Sequence, residues 1–89
     1  MMNSIQEKCI TIAQAFEEQR IEEGYVGLIE FTDLIDAAAS IMAISLQTAI
    51  QQQLLVLQHY LALHDDVQVA QLFRGELCTL VHQISHSIN

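Results

Sequence analysis

The sequence predicts an all-α domain, and three observations carry that expectation. Proline is absent and glycine occurs only at positions 24, 27 and 75, whereas a β-rich domain of this length needs many turns built on Gly, Pro, Asn and Asp. Ala, Leu, Gln and Glu, all good helix formers, are abundant instead. Apolar residues also recur at helical spacing rather than alternating. At 89 residues and 52% hydrophobic content, residues 1–89 form a single domain with a modest core. A core of that size gains from being completed by dimerisation.

The pattern divides into three helices, at about 4–22, 28–64 and 66–87. The first opens on Ser4 and Glu7, an S-x-x-E pair that can satisfy reciprocal backbone amides at a helix start. Ile5, Cys9, Ile12 and Phe16 then follow on one face, at spacings of four, three and four. Gly24 suits a helix end, since glycine adopts the left-handed conformation that terminates helices. Gly24 and Gly27 then bracket Tyr25 and Val26 in a short connection.

The second element lacks Gly and Pro from Leu28 to His64 and concentrates its charge at Glu30, Asp33 and Asp36. In a helix beginning at Leu28, those acids sit at the positive end of the dipole. An apolar stripe runs Leu28, Phe31, Ile35, Ala38, Met42, Leu46, Ile50, Leu54, Leu57, Leu61. Unbroken, this helix would reach about 55 Å at 1.5 Å per residue. The alternative is a break near residues 47–53, where Gln47-Thr48 and three consecutive glutamines fall. Asp65 followed by Gln68 then caps the third helix. Val69, Phe73, Leu77, Leu80, Ile84 and Ile88 line one face of it, with Gly75 on the opposite, solvent side.

Composition excludes several functions. A net charge of −8 with only Lys8, Arg20 and Arg74 as strong cations offers no basic patch for nucleic acid or anionic membrane. Residues 37–64 carry no Asp, Glu, Lys or Arg, which raises the question of a membrane span. Ser40, Ser45, Gln47, Thr48, Gln51, Gln52, Gln53, Gln58 and His59 answer it, because burying so many polar groups in hydrocarbon is costly. The N-terminal residues show no basic region followed by an apolar run, so no secretory signal is read there. Two cysteines make no disulfide framework, and the expectation is a cytoplasmic protein with free thiols.

Candidate chemistry is sparse. Cys78, His82 and His86 recur every four residues and are zinc-type ligands. Three ligands on one straight helix cannot enclose a tetrahedral ion, however, so exposed histidines beside a half-buried cysteine are the simpler reading. There is no Gly-rich phosphate loop and no HExxH metalloprotease motif. Ser85 and His86 are neighbours in sequence and so do not face each other on a helix. No catalytic residue, cofactor or metal is assigned, and an enzyme is not expected.

The uncharged segment points to protein binding instead. Beside its main stripe lies a second line, Leu34, Ala37, Ile41, Ile44, Thr48 and Leu55, and two shorter helices cannot cover both. This flank is the expected partner-binding surface of a small adaptor, chaperone or assembly or regulatory factor, closed most simply by a second copy. The rival expectation is an acidic stoichiometric inhibitor, including a nucleic-acid mimic. It would act through an N-terminal half carrying Glu7, Glu17, Glu18, Glu22, Glu23, Glu30, Asp33 and Asp36.

Overall fold

A computed structural model describes residues 3–88, with side chains from 5 to 84. The helices are α1 (Asn3–Glu17), α2 (Ile21–Ala38), α3 (Ile44–Ala62), α4 (Asp66–Arg74) and α5 (Glu76–Ile88), with a 3-10 turn at Ala39–Ile41 between α2 and α3. Because α4 and α5 succeed one another across Gly75 alone, the described residues make four helical arms, the last of them interrupted. The all-α expectation holds: no strand occurs among the described residues.

α1 packs on α2, α4 and α5, and α3 packs chiefly on α4 and α5. The expected stripe of α1 is buried throughout, from Ile5 to Phe16. Three phenylalanines, Phe16, Phe31 and Phe73, are fully enclosed, and Phe31 meets Phe73 edge to face at 5.2 Å, tying α2 to α4. Val69, Phe73, Leu77 and Ile84 are buried as expected, with Leu80 partly so and Val81 added to them. The side chains of Ser4 and Ile88, which the sequence places in a cap and in the last turn of the stripe, lie outside the described residues.

The three-helix division needs four corrections. First, α1 ends at Glu17 and α2 begins at Ile21, so Gly24 and Gly27 lie inside a helix rather than ending one. Both are buried, and a β-carbon on Gly24 would come within 2.7 Å of the Phe16 ring, one on Gly27 within 2.7 Å of Ile12 Cγ1. Glycine serves close helix approach here, not left-handed backbone.

Second, the chain turns at Gln19 and His64, the two non-glycine residues with positive φ among the described residues, 64° and 55°. Each closes the same hydrogen-bonded helix end. Arg20 N donates to Ala15 O (2.8 Å) and Gln19 N to Phe16 O (3.3 Å). Asp65 N donates to Tyr60 O (3.0 Å) and His64 N to Leu61 O (3.1 Å). These are the paired six-to-one and five-to-two bonds of a Schellman motif. Asp65 then caps α4 as expected, its Oδ1 accepting from Gln68 N at 3.3 Å.

Third, the central segment breaks at residues 39–43, upstream of the glutamines. A rod of about 55 Å does not fit a molecule whose longest dimension is 36 Å. The stripe nevertheless survives the break: Leu28, Phe31, Ile35, Ala38, Met42, Leu46, Ile50 and Leu57 are buried, and Leu54 and Leu61 partly so. Met42 and Ala43 adopt extended backbone (ψ 147° and 145°), turning the chain while Met42 stays in the core. Fourth, the third helix is interrupted at Gly75, on the solvent side, where a β-carbon would stand 3.2 Å from the Gln71 carbonyl oxygen.

These boundaries also change the electrostatics of α2. Glu22 and Glu23, not Glu30, Asp33 and Asp36, occupy its first turn. Asp36 lies in its last turn, at the negative end of the dipole, where a carboxylate is disfavoured.

Candidate functional site

The six flank residues expected to bind a partner do not form one line, because the turn at 39–43 divides them. Leu34 is partly buried and packs against the core, while Ala37 is exposed near the end of α2. Ile41 projects from the 3-10 turn. Ile44, Thr48 and Leu55 belong together on the outer side of α3, opposite buried Leu46, Ile50 and Leu57. Ile44 is 80% exposed and Leu55 66%. The whole of α3, residues 44–62, carries no Asp, Glu, Lys or Arg, so this outer face, which also bears exposed His59, is apolar and amide-rich without carboxylate, lysine or arginine.

Gln47 holds the corner from which that face starts. Its side-chain amide donates to Met42 O at 3.2 Å and to Ala39 O at 2.5 Å, the latter a carbonyl that also accepts from Met42 N at 3.2 Å. Beneath the corner lies a cavity of about 140 Å³ lined by Ile35, Asp36, Met42, Gln47, Ile50 and Leu54. It opens to solvent, and Gln51 joins Asp36 and Gln47 in giving it a polar side.

A second exposed surface escaped the sequence reading. On the outer side of α2, Glu22, Val26, Ile29 and Asp33 follow at spacings of four, three and four, with Asp36 one turn further. Val26 is 57% exposed and Ile29 65%, and Tyr25 stands at the margin, its ring edge-on to Phe16 at 5.9 Å. The sequence carries this surface as a helical period, masked by the two glycines that bracket Tyr25 and Val26.

The cations are all engaged elsewhere. Lys8 bonds Glu30 at 2.9 Å, and Arg20 pairs with Glu18 at 3.0 Å and with Glu23. Arg74 makes a two-pronged bond to Glu17, with Nε to Oε2 at 2.6 Å and the second nitrogen to Oε1 at 2.7 Å. This bond holds the Glu17 carboxyl below its ordinary range and raises Arg74. Among the described residues, no ion pair reaches Glu22, Asp33 or Asp36.

Of the zinc-type candidates, Cys78 is half-buried, and exposed His82 meets the Gln6 amide at 2.7 Å through Nδ1. The side chain of His86 lies outside the described residues. No cluster of three metal-type side chains forms among the described residues. Cys9 is buried in the α1 stripe, and burial, with a smaller contribution from nearby Cys78, pushes its thiol up to about 12. No described helix is long and apolar enough to cross a membrane. Neither a family model, nor a curated protein sequence, nor a solved structure matches this chain.

Proposed function

We propose that this chain is a non-enzymatic protein-binding adaptor, of the kind that serves as a chaperone or as an assembly or regulatory factor, and that the outer face of α3 is its binding surface. The carrying observation is that Ile44 and Leu55, both largely exposed, share one face of a helix without Asp, Glu, Lys or Arg. Solvent-facing helix surfaces ordinarily carry charge, and depletion of charge marks the centre of protein interfaces. Gln51, Gln52 and Gln58, exposed on the same helix, supply amides that can hydrogen-bond across a contact.

A second copy is the simplest occupant. Two molecules of net charge −8 repel, and a face without carboxylates lets them meet at the least electrostatic cost. Free thiols at Cys9 and Cys78 suit the reducing cytoplasm in this reading.

Sedimentation velocity across micromolar concentrations, paired with pull-down from host extract, tests the proposal. Leu55→Asp and Ile44→Asp are expected to yield monomers and to release captured protein. Neither residue is in the core, so circular dichroism should stay helical. A wild-type chain that remains monomeric, and whose captured proteins are indifferent to both substitutions, would sink the idea.

A further inference from the structure

We propose that the outer face of α2 is a second, independent docking surface, and that its occupant is a basic amphipathic helix of another protein. The face consists of Val26 and Ile29 at its centre, Glu22 at one end, and Asp33 and Asp36 at the other. From Glu22 to Asp36 it runs about 21 Å, roughly four helical turns.

Three observations select this occupant. The two central residues are more than half exposed although they lie on a helix whose opposite side already supplies the core. A lone exposed apolar residue needs no explanation, but two successive ones one turn apart, framed by acids, form a patch. No ion pair reaches these acids among the described residues, since Lys8, Arg20 and Arg74 are each committed to other carboxylates. Asp36 also sits in the last turn of α2, where its charge opposes the helix dipole. A charge kept where the local structure disfavours it points to a role outside that structure.

The sign of the charge decides between partners. A second copy laid on this face would bring Glu22, Asp33 and Asp36 against their own counterparts, whereas the uncharged face of α3 avoids that conflict. A helix with leucine-like residues one turn apart and Lys or Arg at its flanks matches both the centre and the ends. The basic groups would lie over the carboxylates as charge-assisted hydrogen bonds, and the apolar pair would seat on Val26 and Ile29 as helix-on-helix recognition requires. This inference does not rest on the α3 reading.

A labelled leucine–lysine peptide of about 14 residues, with leucines at helical spacing, is the probe; its scrambled isomer has the same charge and no apolar face. Fluorescence anisotropy should show the patterned peptide binding at least about tenfold more tightly than the scrambled one, a difference of ~1.4 kcal/mol. The pair Val26→Ser and Ile29→Ser should remove that preference. The triple change Glu22→Gln, Asp33→Asn, Asp36→Asn should weaken binding and flatten its salt dependence. Leu55→Asp should leave it unaltered. Equal binding of the scrambled peptide, indifference to Val26→Ser with Ile29→Ser, or loss through Leu55→Asp would each overturn the proposal. So would a concentration-dependent dimer abolished by Ile29→Ser, since a second copy would then own this face.

Discussion

Gly24 lies against Phe16 so closely that a β-carbon there would stand 2.7 Å from ring atom Cε2. Phe16 is fully buried and cannot swing aside. Gly27 repeats the relationship one turn on, against Ile12 Cγ1. The pair lets α2 approach α1 more closely than side chains would allow, and the α1–α2 contact is among the most extensive in the fold.

Gly24→Ala is therefore expected to destabilise the protein although alanine is the better helix former. Overpacking a tight core costs about 1–3 kcal/mol, against a propensity gain of roughly 1 kcal/mol, leaving a net loss of about 1 kcal/mol. Urea denaturation measures it. In a double-mutant cycle with Phe16→Leu, which shortens the opposing side chain, the two losses should be less than additive. A stabilised Gly24→Ala protein would show that the helices are free to separate.

The same glycines explain where sequence and structure part. The buried faces follow the helical period: the stripes from Ile5 to Phe16, Leu28 to Leu57 and Val69 to Ile84 are buried or half-buried as their spacing indicates. Boundaries fared worse because the residues that punctuate this chain are not the usual ones. Glycine stands inside helices, while the left-handed corners fall to Gln19 and His64. The break at 39–43 has neither Gly nor Pro and depends on a side chain that comes later, Gln47. Part of the candidate surface was legible for the same reason the core was. Ile44, Thr48 and Leu55 share a period, but Leu34 precedes the turn, which does not continue its flank into α3.

Gln47 should be hard to replace. Gln47→Ala removes two bonds to partly buried carbonyls and is expected to cost about 1–2 kcal/mol in urea denaturation. Gln47→Glu tests the mechanism, because an ionised carboxylate accepts and cannot donate to Ala39 O or Met42 O. It should be at least as damaging as alanine near neutral pH. A glutamate variant as stable as wild type would mean that the corner is held by Met42 burial alone.

Gln19→Gly and His64→Gly should each stabilise the fold. An L-residue in left-handed backbone costs about 1–2 kcal/mol, while glycine adds roughly 0.5–1 kcal/mol of unfolded-state freedom. The net gain is up to about 1 kcal/mol per site. The corners belong to different helix pairs, so the gains should add in the double variant. Thermal melting with a two-state fit reads this out, and a lower midpoint for either single change would mean that the native side chain contributes more than its backbone conformation costs.

Alkaline pH should expose the cost of burying Cys9. Its thiol titrates at about 12 in the folded chain against an ordinary value of 9.0, chiefly because burial disfavours the thiolate. The folded state therefore keeps its proton through a range in which the unfolded chain releases it. Stability from this group is complete below pH 9.0, declines as pH rises above that value, and is lost by about 12. The slope cannot exceed about 1.4 kcal/mol per pH unit for one proton. Other groups titrate in the same range, so the informative quantity is the difference from Cys9→Ala. That variant should be less stable at pH 7, through the space left in the α1 stripe, yet lose less on going to pH 10.5. Parallel stability curves for the two proteins between pH 8 and pH 10.5 would show that Cys9 ionises in the folded state as readily as in the unfolded one.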